Sequence, residues 1–195
     1  MAERARPLDP LWVTLRSDIC LLEYFAGRSE DAIRSALLVL EMDPSAFYAN
    51  RCLLLAHLAR GETGQAREAA RREMELVGAG AAERATVSHV PPEQGMTRFW
   101  RWRAANLQER IERGDPVPAF GLALARLELG DRSETLHWLE KAVDGHEWQV
   151  LFLAAEPELR PLHCEPSFRR LVARVGLRFP RDVSRPEEGA ESVER

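Results

Sequence analysis

The chain has 195 residues, 45% hydrophobic and 30% charged, with a formal net charge of −4. That balance suits one soluble domain or a short stack of repeats, and it gives no electrostatic reason to expect a nucleic-acid or membrane-surface partner. No apolar run approaches the ~20 residues of a membrane span, and the charged, proline-bearing stretch from Met1 to Pro10 lacks the apolar segment of a signal peptide.

Three cysteines, Cys20, Cys52 and Cys164, are odd in number, far apart in sequence and without CxxC spacing. The pattern predicts free thiols and a cytoplasmic setting. Proline and glycine punctuation divides the rest into helical stretches of about a dozen residues, with hardly any alternating run that would make a strand. The fold class expected is all-α. A lead-in covers 1–11, a single helical domain 12–180, and a tail rich in Pro, Glu, Gly and Ser 181–195, the last expected to be disordered.

In chain order, a first helical pair runs from Val13 to Pro44. Ile19, Leu22 and Phe25 lead to Gly27, and Ala32, Ala36 and Val39 lead to the ending Leu40-Glu41-Met42-Asp43-Pro44. A second pair, Phe47 to Leu76, places Leu53, Ala56 and Leu58 before Gly61 and Ala66 and Ala70 after it. The third, Ala81 to Gly114, is degenerate: Pro91-Pro92 break its first helix, while Trp100, Ala104, Leu107 and Ile111 keep helical spacing in the second. The fourth, Val117 to Val143, has Leu122, Ala123 and Leu127 before Gly130 and Leu136, Leu139 and Ala142 after it. Gly27, Gly61, Gly95 and Gly130 lie 34, 34 and 35 residues apart, and each is expected to close a helical stretch.

A period of about 34 with small residues at these positions resembles the tetratricopeptide-repeat (TPR) family. From about residue 95 to 180 the chain also resembles the C-terminal TPR region of bacterial winged-helix or serine/threonine-kinase regulators. That likeness rests on Phe99-Trp100-Arg101-Trp102, Leu129-Gly130-Asp131, Trp138-Leu139-Glu140-Lys141-Ala142, Glu156-Pro157-Glu158-Leu159-Arg160-Pro161-Leu162 and Glu165-Pro166-Ser167-Phe168. The resemblance implies a superhelical solenoid of about four units with C-terminal capping helices from about residue 146. It carries over neither the kinase nor the winged helix.

Such arrays bind with the concave face, lined by the first helix of each pair. The family's groove positions fall on Thr14, Ser17, Leu21 and Tyr24, on Tyr48, Arg51, Leu55 and Leu58, and on Val117, Phe120, Leu124 and Leu127. The aliphatics also suit simple packing inside a short superhelix. Trp102 has three readings: core, partner contact, or nucleic-acid or membrane contact. Ser17 and Leu21 stand where chaperone-tail binders carry a lysine and asparagine clamp, which argues against that ligand.

Glu134 and His137 have a two-ligand helical spacing without a second copy, and His163-Cys164-Glu165 is isolated, so no metal is expected. Gly61-Glu62-Thr63-Gly64 lacks the lysine of a phosphate loop, and no nucleophile elbow occurs. The sequence therefore predicts a non-catalytic module with no cofactor that binds a protein or peptide partner. The alternatives are an effector-sensing part of a transcription or kinase system and, last, an enzyme with an unrecognised site; self-association is left open.

Overall fold

The computed structural model describes residues 10–179, with side chains from Val13 onward. The tail expected at 181–195 and most of the lead-in lie outside the described residues. Among the described residues nine α-helices follow in order: α1 Pro10–Phe25, α2 Ser29–Met42, α3 Phe47–Ala59, α4 Thr63–Leu76, α5 Ala81–Ser88, α6 Pro92–Glu112, α7 Ala119–Glu128, α8 Arg132–Asp144 and α9 Pro166–Arg174. Two 3₁₀ segments, Trp148–Phe152 and Pro157–Leu162, separate α8 from α9. No strand occurs among the described residues, and none of their helices is long and apolar enough to cross a membrane.

Neighbouring helices pack in adjacent pairs, α1 with α2, α3 with α4, α5 with α6 and α7 with α8. The pairs stack through α2 on α3, α1 on α3, α4 on α6 and α6 on α7. Short tight turns make the pairing possible. Gly27, Gly61 and Gly130 each take a positive φ, of 73°, 72° and 79°, a conformation that costs glycine little because it has no Cβ.

Gly95 departs from the expected role. It lies inside α6 rather than at a turn, and a Cβ there would sit 2.6 Å from the Val87 carbonyl oxygen. Its 34-residue spacing from Gly61 thus serves a close helix approach, while the turn before α6 is made by residues 89–91.

Small residues set the helix separations. Ala32 and Ala36 of α2, Ala49 and Ala56 of α3, and Ala66 and Ala70 of α4 are fully buried. Between α3 and α4 the Asn50 amide donates to the Ala69 carbonyl at 2.9 Å. Ala32→Leu or Ala66→Leu is expected to lower stability by about 1–3 kcal/mol through overpacking. Urea unfolding of both variants checks this, and unchanged midpoints would contradict it. The same close approach brings Cys20 of α1 and Cys52 of α3 side by side as buried free thiols, despite their distance in sequence.

The third pair is unequal. α5 starts only at Ala81, after Gly80, and ends before Pro91 and Pro92, so it has eight residues against twenty-one in α6. At 1.5 Å per residue these are about 12 and 31 Å long. The hydrogen bonds between the two run from Arg98, whose Nη1 donates to the Thr86 carbonyl at 3.0 Å, to Trp102, whose indole Nε1 donates to Glu83 Oε1 at 3.1 Å near the start of α5. With only Ala81 and Ala82 of α5 beyond Glu83, most of the C-terminal half of α6 extends past α5.

After α8 the chain doubles back. Glu147 accepts hydrogen bonds from the backbone N–H groups of Ala119 and Phe120 at 2.6 and 3.0 Å. It satisfies donors that the first turn of α7 would otherwise leave open, and its charge complements the helix dipole. Leu153, Leu159, Leu162 and Phe168 are fully buried in a second core built on α7 and α8, and Trp138 packs against both this core and the first. Phe168, Leu171 and Val172 form the buried stripe of α9.

Candidate functional site

The unpaired half of α6 borders a cavity of about 550 Å³, which α1, α3, α7 and the segment 148–156 complete. Its walls carry seven of the chain's fourteen Phe, Tyr and Trp residues. Phe25 comes from α1, Phe47 and Tyr48 from α3, Trp102 from α6 and Phe120 from α7; Trp148 and Phe152 come from the first 3₁₀ segment. Two ring contacts hold that segment against the first two helix pairs. Phe25 stacks on Phe152 with centroids 4.7 Å apart, and Tyr48 meets Trp148 edge-on at 6.2 Å.

On one side of the cavity lies a buried charge cluster. Glu73 of α4 is fully buried, and its Oε1 accepts from Arg51 Nη2 at 2.7 Å and from Arg103 Nη1. The Arg51 guanidinium also lies 5.8 Å from the centre of the Trp100 ring, within cation–π range. Burial pushes the Glu73 carboxyl up and Arg51 pulls it down. Both arginines meet Oε1 while Oε2 is buried without a partner, and the two adjacent guanidinium charges favour the carboxylate.

A second buried group sits at the end formed by residue 156. Glu156 is 4% exposed and its Oε1 has no hydrogen-bond partner. Burial pushes its carboxyl up to about 7, against opposing pulls from Glu158, Arg51 and the Tyr24 hydroxyl. Glu158 is raised well above the usual range, by burial first and then by the Glu156 and Glu128 charges. Part of the Glu158 side chain reaches solvent while both carboxyl oxygens are enclosed without partners, and it is the oxygens' surroundings that set its proton affinity. Tyr24, 3% exposed, has its phenol shifted upward by burial and then by these two acids.

Of the residues singled out in the sequence, Leu21, Tyr48, Arg51, Leu55, Trp102, Val117, Phe120 and Leu124 line the cavity. Thr14, Ser17, Tyr24, Leu58 and Leu127 do not. Thr14 is exposed on α1. Ser17 is buried, its hydroxyl donating to the Val13 carbonyl at 2.9 Å. Tyr24 points to the acid pair. Phe99 and Trp100 belong to the core, whereas Trp102 is partly buried in the cavity wall.

Sequence reasoning noted Arg103 only as the end of the aromatic-arginine run from Phe99 and missed Asn106 and Arg110; all three follow Trp102 on α6 and line the cavity. Their 3–4-residue spacing marks one helix face. It also missed Trp148, Phe152 and Glu156, which reach the cavity only because the chain returns to α1. No group of three or more His, Cys, Asp or Glu placed to hold a metal occurs among the described residues. Glu134 instead accepts from the Trp138 indole at 3.0 Å.

No family model, curated protein or solved structure matches the chain. The cavity must therefore be interpreted from its own chemistry.

Proposed function

We propose that the chain is a non-catalytic, TPR-like α-solenoid that binds a compact, largely apolar ligand, acting as the effector-sensing part of a bacterial regulatory system. The observation that carries this reading is the aromatic cavity. Its volume of about 550 Å³ falls within the ~300–1,000 Å³ range of small-ligand sites.

A dye experiment tests the site directly. 1-Anilinonaphthalene-8-sulfonate is expected to bind the folded protein at one saturable site, and Leu124→Trp, which fills the cavity, is expected to abolish the fluorescence gain without loss of helicity. Undiminished dye binding by a folded Leu124→Trp variant would place the apolar site elsewhere.

A polypeptide partner is the second reading, supported by the rim. Leu22, Tyr48 and Trp148 are 55%, 44% and 49% exposed and all border the cavity. Exposed aromatics next to a pocket are the usual anchors of a protein contact. In that reading a partner lays one or two large side chains into the cavity and covers the rim.

A further inference from the structure

The polar groups on the cavity wall narrow the kind of ligand it takes. Arg51, Arg103 and Arg110 all line it. Each guanidinium carries five N–H donors. The hydrogen bonds within the described residues use one from each: Arg51 and Arg103 on Glu73, and Arg110 on Asp115 at 3.4 Å. In a wall this apolar, the remaining donors have few acceptors to meet. The lining offers the carboxylates of Asp18 and Glu156 and the side-chain amides of Asn106 and Gln149.

Charge points the same way. Two guanidiniums share the single carboxylate of Glu73, through one of its two oxygens. One positive charge is left over beside the cavity. Arg110 is matched by Asp115, which also takes Arg113 at 3.3 Å. Asp18 lies exposed on α1. Glu156, raised to about 7 by its burial, holds only part of a negative charge at neutral pH and so leaves part of the excess uncancelled. The same lining carries the aromatic rings of Phe47, Trp102, Phe120 and Trp148.

We infer that the cavity takes a small amphiphilic monocarboxylate, its head on the Arg51 and Arg103 guanidiniums and its aromatic or short alkyl body among Phe47, Trp102, Phe120 and Trp148. This inference rests on the cavity being a small-ligand site. A carboxylate supplies two acceptor oxygens to a forked donor, and such charge-assisted bonds are about twice as strong as neutral ones. It would satisfy donors and charge at once. A neutral ligand of the same shape gains only the apolar contacts, and a cationic one is repelled.

The test uses three probes of one shape: 4-phenylbutyrate, 4-phenylbutan-1-ol and 4-phenylbutylamine. Trp102 and Trp148 border the cavity, so their fluorescence reports occupancy. Phenylbutyrate is expected to bind about tenfold or more tighter than the alcohol, as bonds to a charged group imply, with the amine weakest. Arg103→Gln should reduce the preference for the acid over the alcohol to about threefold or less.

A salt titration of the unmodified protein gives an independent measurement should Arg103→Gln not fold. Phenylbutyrate affinity should fall with added sodium chloride while that of the alcohol holds. Equal binding of acid and alcohol, or a salt-independent acid, overturns the carboxylate inference and leaves the cavity reading standing. If none of the three changes tryptophan emission at millimolar concentration, the small-ligand reading fails, and the inference with it.

Discussion

Glu73→Gln is expected to lower stability by about 3–5 kcal/mol, the usual cost of removing one member of a buried ion pair. Glu73 has no solvent exposure, and the side chains of Arg51 and Arg103 are only 11% and 13% exposed. Without the carboxylate, two guanidiniums that converge on one oxygen face each other across an apolar wall. For a chain of this size the loss corresponds to a fall in Tm of roughly 10 °C. Thermal and urea unfolding of the parent and the variant measure it.

A compensated variant separates charge from shape. Replacing Arg51, Glu73 and Arg103 together with Met, Leu and Met removes all three charges and keeps most of the volume. Its stability should return to near that of the parent, because buried ion clusters exchanged for packed apolar residues are often neutral or better. A Glu73→Gln protein that melts within about 2 °C of the parent would mean that the cluster is solvated and stabilises little.

The second large effect depends on pH and comes from Glu156. Its carboxyl stands near 7 in the folded chain, against about 4.5 as an ordinary glutamate. A raised acid binds its proton more tightly when folded. The stabilisation is therefore complete below about pH 4.5 and is lost as the pH rises through 7. A shift of this size amounts to on the order of 3 kcal/mol.

The groups facing Glu156 are Tyr24 of α1, Arg51 of α3 and Glu158, with Glu128 of α7 acting on Glu158. Glu156→Gln keeps the polar shape and removes the ionisation. Its stability should match the parent's near pH 4.5 and exceed it by on the order of 3 kcal/mol at pH 8. Urea midpoints of both proteins at pH 4.5, 6 and 8 test this, the exposed carboxylates common to both cancelling in the difference. Parallel curves across that range would show that the carboxyl is not raised by folding.

The helices were largely legible because their signals are local. Ala32, Ala36 and Val39 recur at helical spacing, and all three are fully buried. Gly27, Gly61 and Gly130 sit where the chain must turn with positive φ. Gly95 shows the limit of spacing alone, since a glycine can be required by a close helix approach as well as by a turn.

The site was legible only in part. Tyr48, Arg51, Leu55 and Phe120 follow from placing one face of α3 and α7 inward, and they line the cavity. Arg103, Asn106 and Arg110 did not follow, because the expectation assigned that wall to the first helix of the third pair. α5 instead starts only at Ala81, after Gly80, and is too short to cover it. Nor could any local pattern show that Phe152 stacks on Phe25 or that Glu156 lies by Tyr24. Those contacts span more than a hundred residues and depend on how the last segment packs.

The shortness of α5 also makes the cavity an adjustable length. Each residue added to that helix would extend it by about 1.5 Å along α6, advancing from Trp102 toward Arg110. Three or four residues, one further turn, would reach as far as Asn106 and begin to fill the cavity. Chains with the same plan but a longer helix here would then have a filled interior and no pocket, and chains with a shorter one a larger pocket. Pocket size in such proteins would vary with where a single helix starts, with the lining residues left as they are.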